Sequence, residues 1–168
     1  MHQGRRDFLA RCRKSGHLEI LFWAAVSDLF LSGCRFAGME TMHAVAAQGH
    51  SVPQYTVSMM LMLGDDAELK SKGLETFHGL EAAGALTICK LHYPRVVDMS
   101  ALRASAKRRE SSLCFACMSK PWKLGCYLPP SMLRKRCYVN DGDRGAARVS
   151  CINCRANYEL ILFVHLFD

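Results

Sequence analysis

This sequence is short of the features that usually announce an enzyme or a membrane protein. It has no long apolar run: the longest, Ile20 to Val26, is far below the roughly 20 residues a bilayer crossing needs. The start, Met1 to Arg6, leads into Asp7 and helix-like sequence with no secretory apolar core or small-residue cleavage site, so the chain reads as intracellular, cytoplasmic and/or nuclear. There is no G-x-S-x-G, no phosphate-binding glycine loop, no H-E-x-x-H and no dinucleotide-binding glycine pattern. Asp65 and Asp66 are neighbours in a loop, which does not specify an acid/base pair of defined separation. No catalytic residue, no cofactor-binding residue and no small-molecule substrate is expected, and an enzyme is the least favoured class. Neither is there the composition of a disordered or fibrous chain: 9 % aromatic, 22 % charged and 50 % apolar residues exclude wholesale disorder and collagen-like or mucin-like repeats.

What is present is unevenly spread. The 168 residues carry a net charge of +7, enough chain for one ordinary domain or two small ones. Residues 1–94 hold nine Lys/Arg and nine Asp/Glu, whereas residues 95–155 hold thirteen Lys/Arg against four acidic residues, a local net of +9. Of nine cysteines, only Cys12, Cys34 and Cys89 lie in the first part; the other six fall between Cys114 and Cys154. In an intracellular setting these are metal ligands or free thiols before they are a disulfide framework. Two modules share the chain.

The first module repeats itself. Gly16-His17 returns as Gly49-His50 after 33 residues, and Gly38-Met39-Glu40-Thr41-Met42-His43 returns as Gly73-Leu74-Glu75-Thr76-Phe77-His78 after 35. Each unit reads as two antiparallel helices. In the first helices, Phe22/Tyr55, Val26/Met59 and Leu29/Met62 are apolar in both copies, at the spacing of four and three that lays one stripe along a helix. Ser51 suits an N-cap and Pro53 a first turn. The second helices, about Phe36–Gln48 and Glu68–Ala83, end at Gly49 and Gly84, residues suited to the left-handed position after a helix. A half-unit, Leu9 to His17, precedes them. The histidines recur in equivalent pairs, which points to packing or capping rather than catalysis. In period this resembles Sel1 and tetratricopeptide repeats, although two and a half units fall below the three or so of a stable solenoid. Asp98 to Glu110, with Ser100 as cap, is the candidate for a closing helix.

The second module carries two C-x-x-C pairs, Cys114/Cys117 and Cys151/Cys154. Each presents two thiolates from a tight turn, and four thiolates around Zn²⁺ make a closed structural site. The intervening stretch contains Pro121, Gly125, Pro129, Pro130, Gly142 and Gly145 and shows no periodic apolar face, so it needs a staple to fold. The expected cofactor is one structural zinc, whose removal should loosen residues 111–168 and spare the helices. Cys126 and Cys137 could each replace a member of the first pair or be spare thiols. Without a βαβ context, a thioredoxin-like redox pair is disfavoured. The tail Tyr158 to Phe167 is expected to be a buried strand packing the cysteine module onto the helices. Lys107-Arg108-Arg109 and Arg134-Lys135-Arg136 form a candidate contact patch for phosphates or a nuclear import signal, against the plainer reading of a solvated helix end and loop.

The segment Phe8 to Phe22, with Cys12, Ser15, Gly16 and His17, then Gly38 to Met42, Ala46-Ala47-Gln48-Gly49-His50 and Tyr55, resembles plant F-box proteins with a Sel1/tetratricopeptide-like C-terminal region. Cys151 and Cys154 followed by Tyr158-Glu159 and an apolar tail resemble the cysteine-containing end of such proteins. The resemblance covers most of residues 8–90 and residues 151–167. It implies substrate recognition in ubiquitin-dependent turnover. The F-box that lies upstream in that family has no counterpart, since only seven residues precede Phe8, so a ligase-subunit role does not carry over; the chain is expected to be either the C-terminal part of a larger design or a stand-alone interaction module.

The resulting expectation is a mainly α protein: a helical-hairpin repeat domain over 7–94, a basic capping helix or linker over 95–110, and a cysteine-rich zinc module over 111–168. A protein or peptide in the repeat groove is the expected partner. The alternative is a zinc-dependent nucleic-acid-binding protein using residues 95–155.

Overall fold

A computed structural model describes residues 3–91, 113–114, 116–121 and 148–165. Among the described residues the chain forms helices and no strand. They are α1 (Gln3–Lys14), α2 (Leu18–Phe30), α3 (Arg35–Ala46), α4 (Ser51–Leu63), α5 (Ala67–Ala82), α6 (Leu86–Leu91) and α7 (Ile152–His165). The chain divides into two compact units, Met1–Val57 and Ser58–Asp168, with the division falling within the sequence of α4. The domain limits expected after residues 94 and 110 lie outside the described residues, as does the closing helix expected over Asp98–Glu110.

In the first unit, α2 and α3 pack as a hairpin. The apolar stripe read in the sequence is buried: Phe22, Val26 and Leu29 on α2, with Met42 and Val45 on α3. Gly38 makes this crossing close. A Cβ there would sit 2.8 Å from the backbone nitrogen of Leu29 and 3.1 Å from the carbonyl oxygen of Ala25, distances no side chain can occupy without parting the helices. α1 covers two polar groups of this pair. Arg5 forms an ion pair of 2.9 Å with the buried Asp28, and the Arg13 guanidinium donates to Thr41 Oγ1 at 2.9 Å.

The second unit repeats the crossing. A Cβ on Gly73 of α5 would meet the Ser58 carbonyl oxygen at 2.8 Å and Met62 Cγ at 2.9 Å on α4. The Ser58 hydroxyl donates to the Gly73 carbonyl at 2.7 Å inside this contact. Thus the G-x-E-T-x-H repetition encodes a recurring close approach. Its glycine cannot be replaced by a larger residue without separating the two helices. Gly49 and Gly84 follow α3 and α5 at φ of 87° and 67°, the left-handed conformation anticipated for them.

Three local details differ from expectation. The carbonyls of His17 and His50 accept from Leu21 and Gln54, each at 3.2 Å, so the position before α4 falls on His50 and Ser51 is its first residue. Asp66, unassigned in the sequence, caps α5 by accepting from the Leu69 N–H at 2.9 Å. The tail is the largest correction: Tyr158 to Phe167 was expected as a strand, whereas Ile152–His165 is helical, with residues 166–168 outside the described set. From Tyr158 to Val164 no residue is more than 2 % exposed. A strand buried so deeply would need neighbouring strands for its N–H and C=O groups, and the described residues offer none; a helix satisfies them internally. α7 packs against α5. It also carries Glu159, which forms an ion pair of 2.9 Å with Lys90 of α6, both side chains almost fully buried.

Candidate metal centre

The two C-x-x-C pairs come from different local structures. Cys114 and Cys117 bracket a tight turn. The Met118 N–H donates to the Cys114 carbonyl at 2.8 Å, and the Cys114 N–H donates to the Ser119 carbonyl at 2.9 Å. Met118 closes the turn with φ of 56°, a left-handed conformation that costs a residue with a Cβ. The second pair sits at the start of α7: the Cys151 carbonyl accepts from the Arg155 N–H at 2.9 Å, and Cys154 lies in the first turn. A helix N-terminus favours negative charge, so this end suits thiolates.

The turn and the helix start bring all four sulfurs together. The Sγ atoms of Cys114, Cys117, Cys151 and Cys154 lie within 4.8 Å of one another. Cys117 and Cys154 are separated by 3.2 Å, and Cys114 and Cys151 by 4.0 Å. All four are free thiols. Around a tetrahedral ion with Zn–S bonds of about 2.3 Å, sulfurs stand about 3.8 Å apart, so the set fits such an ion. Among the described residues no histidine or carboxylate joins the group. Four sulfurs in tetrahedral array suit zinc or iron and exclude the oxygen-seeking magnesium and calcium.

Local electrostatics prepare the donors unequally. The Ser119 N–H and then the Cys154 sulfur hydrogen-bond to the exposed Cys117, with the Ser119 hydroxyl adding to them, and bring its thiol down to about 6. Burial pushes the Cys154 thiol up, and its contacts with the other three cysteines push it further. Cys114, Val149 and Cys154 form a small buried apolar core against which Cys151 packs. A cation that displaces the remaining protons would convert this crowded group into a closed coordination shell. Cys89 stands apart from it: burial, reinforced by Glu159, pushes its thiol up to about 11, so it remains a protonated packing residue.

The sequence did not point to the residues that support the site. Arg155, next to Cys154, holds Glu81 on α5 with Nε to Oε1 at 2.7 Å and Nη2 to Oε2 at 3.2 Å. Its Nη1 donates to the carbonyls of Val149 and Ser150 at 3.3 Å and 3.0 Å. Arg155 and Glu81 are 74 residues apart, beyond the reach of any local pattern. Ser119 could have been noticed only as a polar residue two places after a C-x-x-C pair. Cys126, Cys137 and the candidate contact residues Lys107, Arg108, Arg109, Arg134, Lys135 and Arg136 lie outside the described residues.

Fold and site together define a helical-hairpin repeat protein with a four-cysteine group that can hold a metal ion. Residues 1–98 match the family described as Plant tetratrico peptide repeats, and the chain belongs to that family. No curated protein and no solved structure matches it. Tetratricopeptide repeats are typically non-catalytic modules that bind other proteins. No helix among the described residues is long and apolar enough to cross a membrane.

Proposed function

We propose that this protein is a non-catalytic interaction module whose repeats engage a protein or peptide partner and whose cysteine module is folded around one structural zinc ion. The repeated close crossing at Gly38 and Gly73, within a family that binds proteins, carries the first half of this reading. The four sulfurs within 4.8 Å carry the second. The working domain scheme is a repeat domain over 7–94, a basic connector over 95–110 and a zinc module over 111–168, in a cytoplasmic and/or nuclear setting. Resemblance to plant F-box proteins suggests the partner is a substrate for ubiquitin-dependent turnover.

The test is affinity capture with the full chain, alone and fused to an F-box, followed by direct binding of the recovered protein to the purified chain. A partner whose binding is lost when Gly38 or Gly73 is replaced by valine supports the reading. Recovery of no partner in either format counts against it.

The +9 charge of residues 95–155 favours a second reading, a zinc-dependent nucleic-acid-binding protein. Binding to DNA or RNA should then weaken steeply with salt and be lost in the Lys107/Arg108/Arg109 triple alanine variant. Retention unchanged by that variant removes this reading.

A further inference from the structure

We infer that metal occupancy and the order of α5 and α6 are one coupled equilibrium, transmitted by Arg155, with Glu81 as a positioning residue for the cysteine site. The inference rests on the reading of the four cysteines as a zinc site, and it changes what removal of the ion should do. The sequence alone suggested that the helices would be spared.

Three observations within the second unit carry it. First, a single guanidinium spans both structures. Arg155 touches the carbonyls of Val149 and Ser150, the two residues leading into Cys151, and it grips both carboxylate oxygens of Glu81 on α5. The planar fork of arginine suits such a two-pronged contact, and each of its N–H groups fixes the others. Second, Arg155 directly follows Cys154 in the first turn of α7, so movement of this turn moves a metal-competent sulfur and the guanidinium together. Third, α7 is tied to the same pair of helices further along its length. Lys90 of α6 and Glu159 of α7 form an ion pair with 7 % and 2 % of their side chains exposed.

These links act in both directions. With the four sulfurs joined by an ion, the loop 148–151 and the start of α7 are fixed, and Arg155 is presented to Glu81 in one orientation. Without it, four close sulfurs lack a common partner, the turn bearing Cys114 and Cys117 separates from α7, and the first turn of α7 frays. Arg155 then loses its carbonyl partners, and the docking of α7 on α5 and α6 weakens. Linkage requires the converse: removing the Glu81 carboxylate must weaken metal binding by the same factor by which the metal strengthens that contact.

The experiment uses the full chain and zinc alone, with affinity read by competition against a chromophoric chelator. Glu81→Gln should bind zinc about tenfold more weakly than the wild type, the lower end of the range seen when a hydrogen-bonding partner behind a metal ligand is removed. Its cobalt(II) form should keep the charge-transfer bands of a four-thiolate site. Glu68→Gln, at an exposed pair with Lys72 on the same helix, should bind as the wild type does. In hydrogen exchange, zinc removal should lower amide protection across 67–91 as well as across 152–165. Equal zinc affinity in Glu81→Gln and the wild type, or protection of 67–91 indifferent to zinc, overturns the coupling and leaves the zinc site standing. Failure of the wild type to bind zinc overturns both.

Discussion

The α2–α3 hairpin and the cysteine module reach order by opposite means. The hairpin buries a continuous stripe from Leu21 to Phe30 on one helix against Met42 and Val45 on the other, with a glycine bringing the backbones close. Among the described residues of 113–121 and 148–154, Cys114, Val149 and Cys154 form a small buried group, while Leu113 and Met118 are exposed. Apolar burial of that size does not offset the conformational entropy of ordering the segments. The hairpin can therefore rest on packing alone, whereas in the proposed reading a shared metal ion on the four sulfurs would supply the cysteine segments with the staple that their described residues do not. α7 sits between these extremes, since its N-terminus belongs to the cysteine site and its remaining length is buried like a core helix.

Substitutions can sharpen or break this contrast. The largest effect is expected at the buried ion pair that ties α7 to α6. Lys90→Met removes the cation facing the buried Glu159 carboxyl, and urea denaturation should show a loss of about 3–5 kcal/mol. The double variant Lys90→Met/Glu159→Leu should recover most of it, and no recovery would mean that the charge itself is required. Next come the crossings. Gly38→Ala and Gly73→Ala should each cost about 1–3 kcal/mol, as overpacked contacts do, and by similar amounts because each Cβ meets backbone atoms at 2.8 Å. A cost at only one of them would break the equivalence of the repeats. In the cysteine turn the sign reverses. Met118→Gly should stabilise by about 1 kcal/mol by removing the left-handed penalty, read as a higher melting temperature of the zinc-loaded protein, and Met118→Ile should do the opposite. The smallest of these changes is Asp66→Ala, which should cost about 0.5 kcal/mol through loss of the exposed α5 cap, seen as faster amide exchange in its first turn.

Much of the repeat was legible because its determinants are local. Phe22, Val26 and Leu29 announce a helix face by spacing, Gly49 and Gly84 mark ends by conformational need, and G-x-E-T-x-H reports one packing contact twice. The four cysteines were legible as candidates for the same reason, since the members of each C-x-x-C pair lie three residues apart and a local turn or helix start brings them together. The tail was misread because Leu160 to Val164 is a short apolar run, and periodicity cannot distinguish a buried strand from a buried helix. What settles it is that the described residues offer no strand to pair with, a property of the fold and not of the segment. Lys90 with Glu159, and Arg155 with Glu81, were illegible because their meaning lies in contacts between residues far apart in the chain. α6 went unassigned because Leu86–Leu91 has only six residues, too few for a period to show. The repeated histidines divide the two copies: His43 is exposed, while His78 is half-buried with no hydrogen-bond partner for its Nε2 among the described residues. Equivalent sequence positions therefore need not share an environment.

The central claim is that the cysteine module is held by a metal where the hairpin is held by packing. Its most direct test is the metal content of the full chain, purified under reducing conditions without added zinc and weighed intact by native mass spectrometry. A mass increment of about one zinc per chain, absent in a Cys114→Ser/Cys154→Ser variant, is the expected result for a four-thiolate site. A wild-type chain that carries no metal and takes none up when zinc is supplied would contradict it.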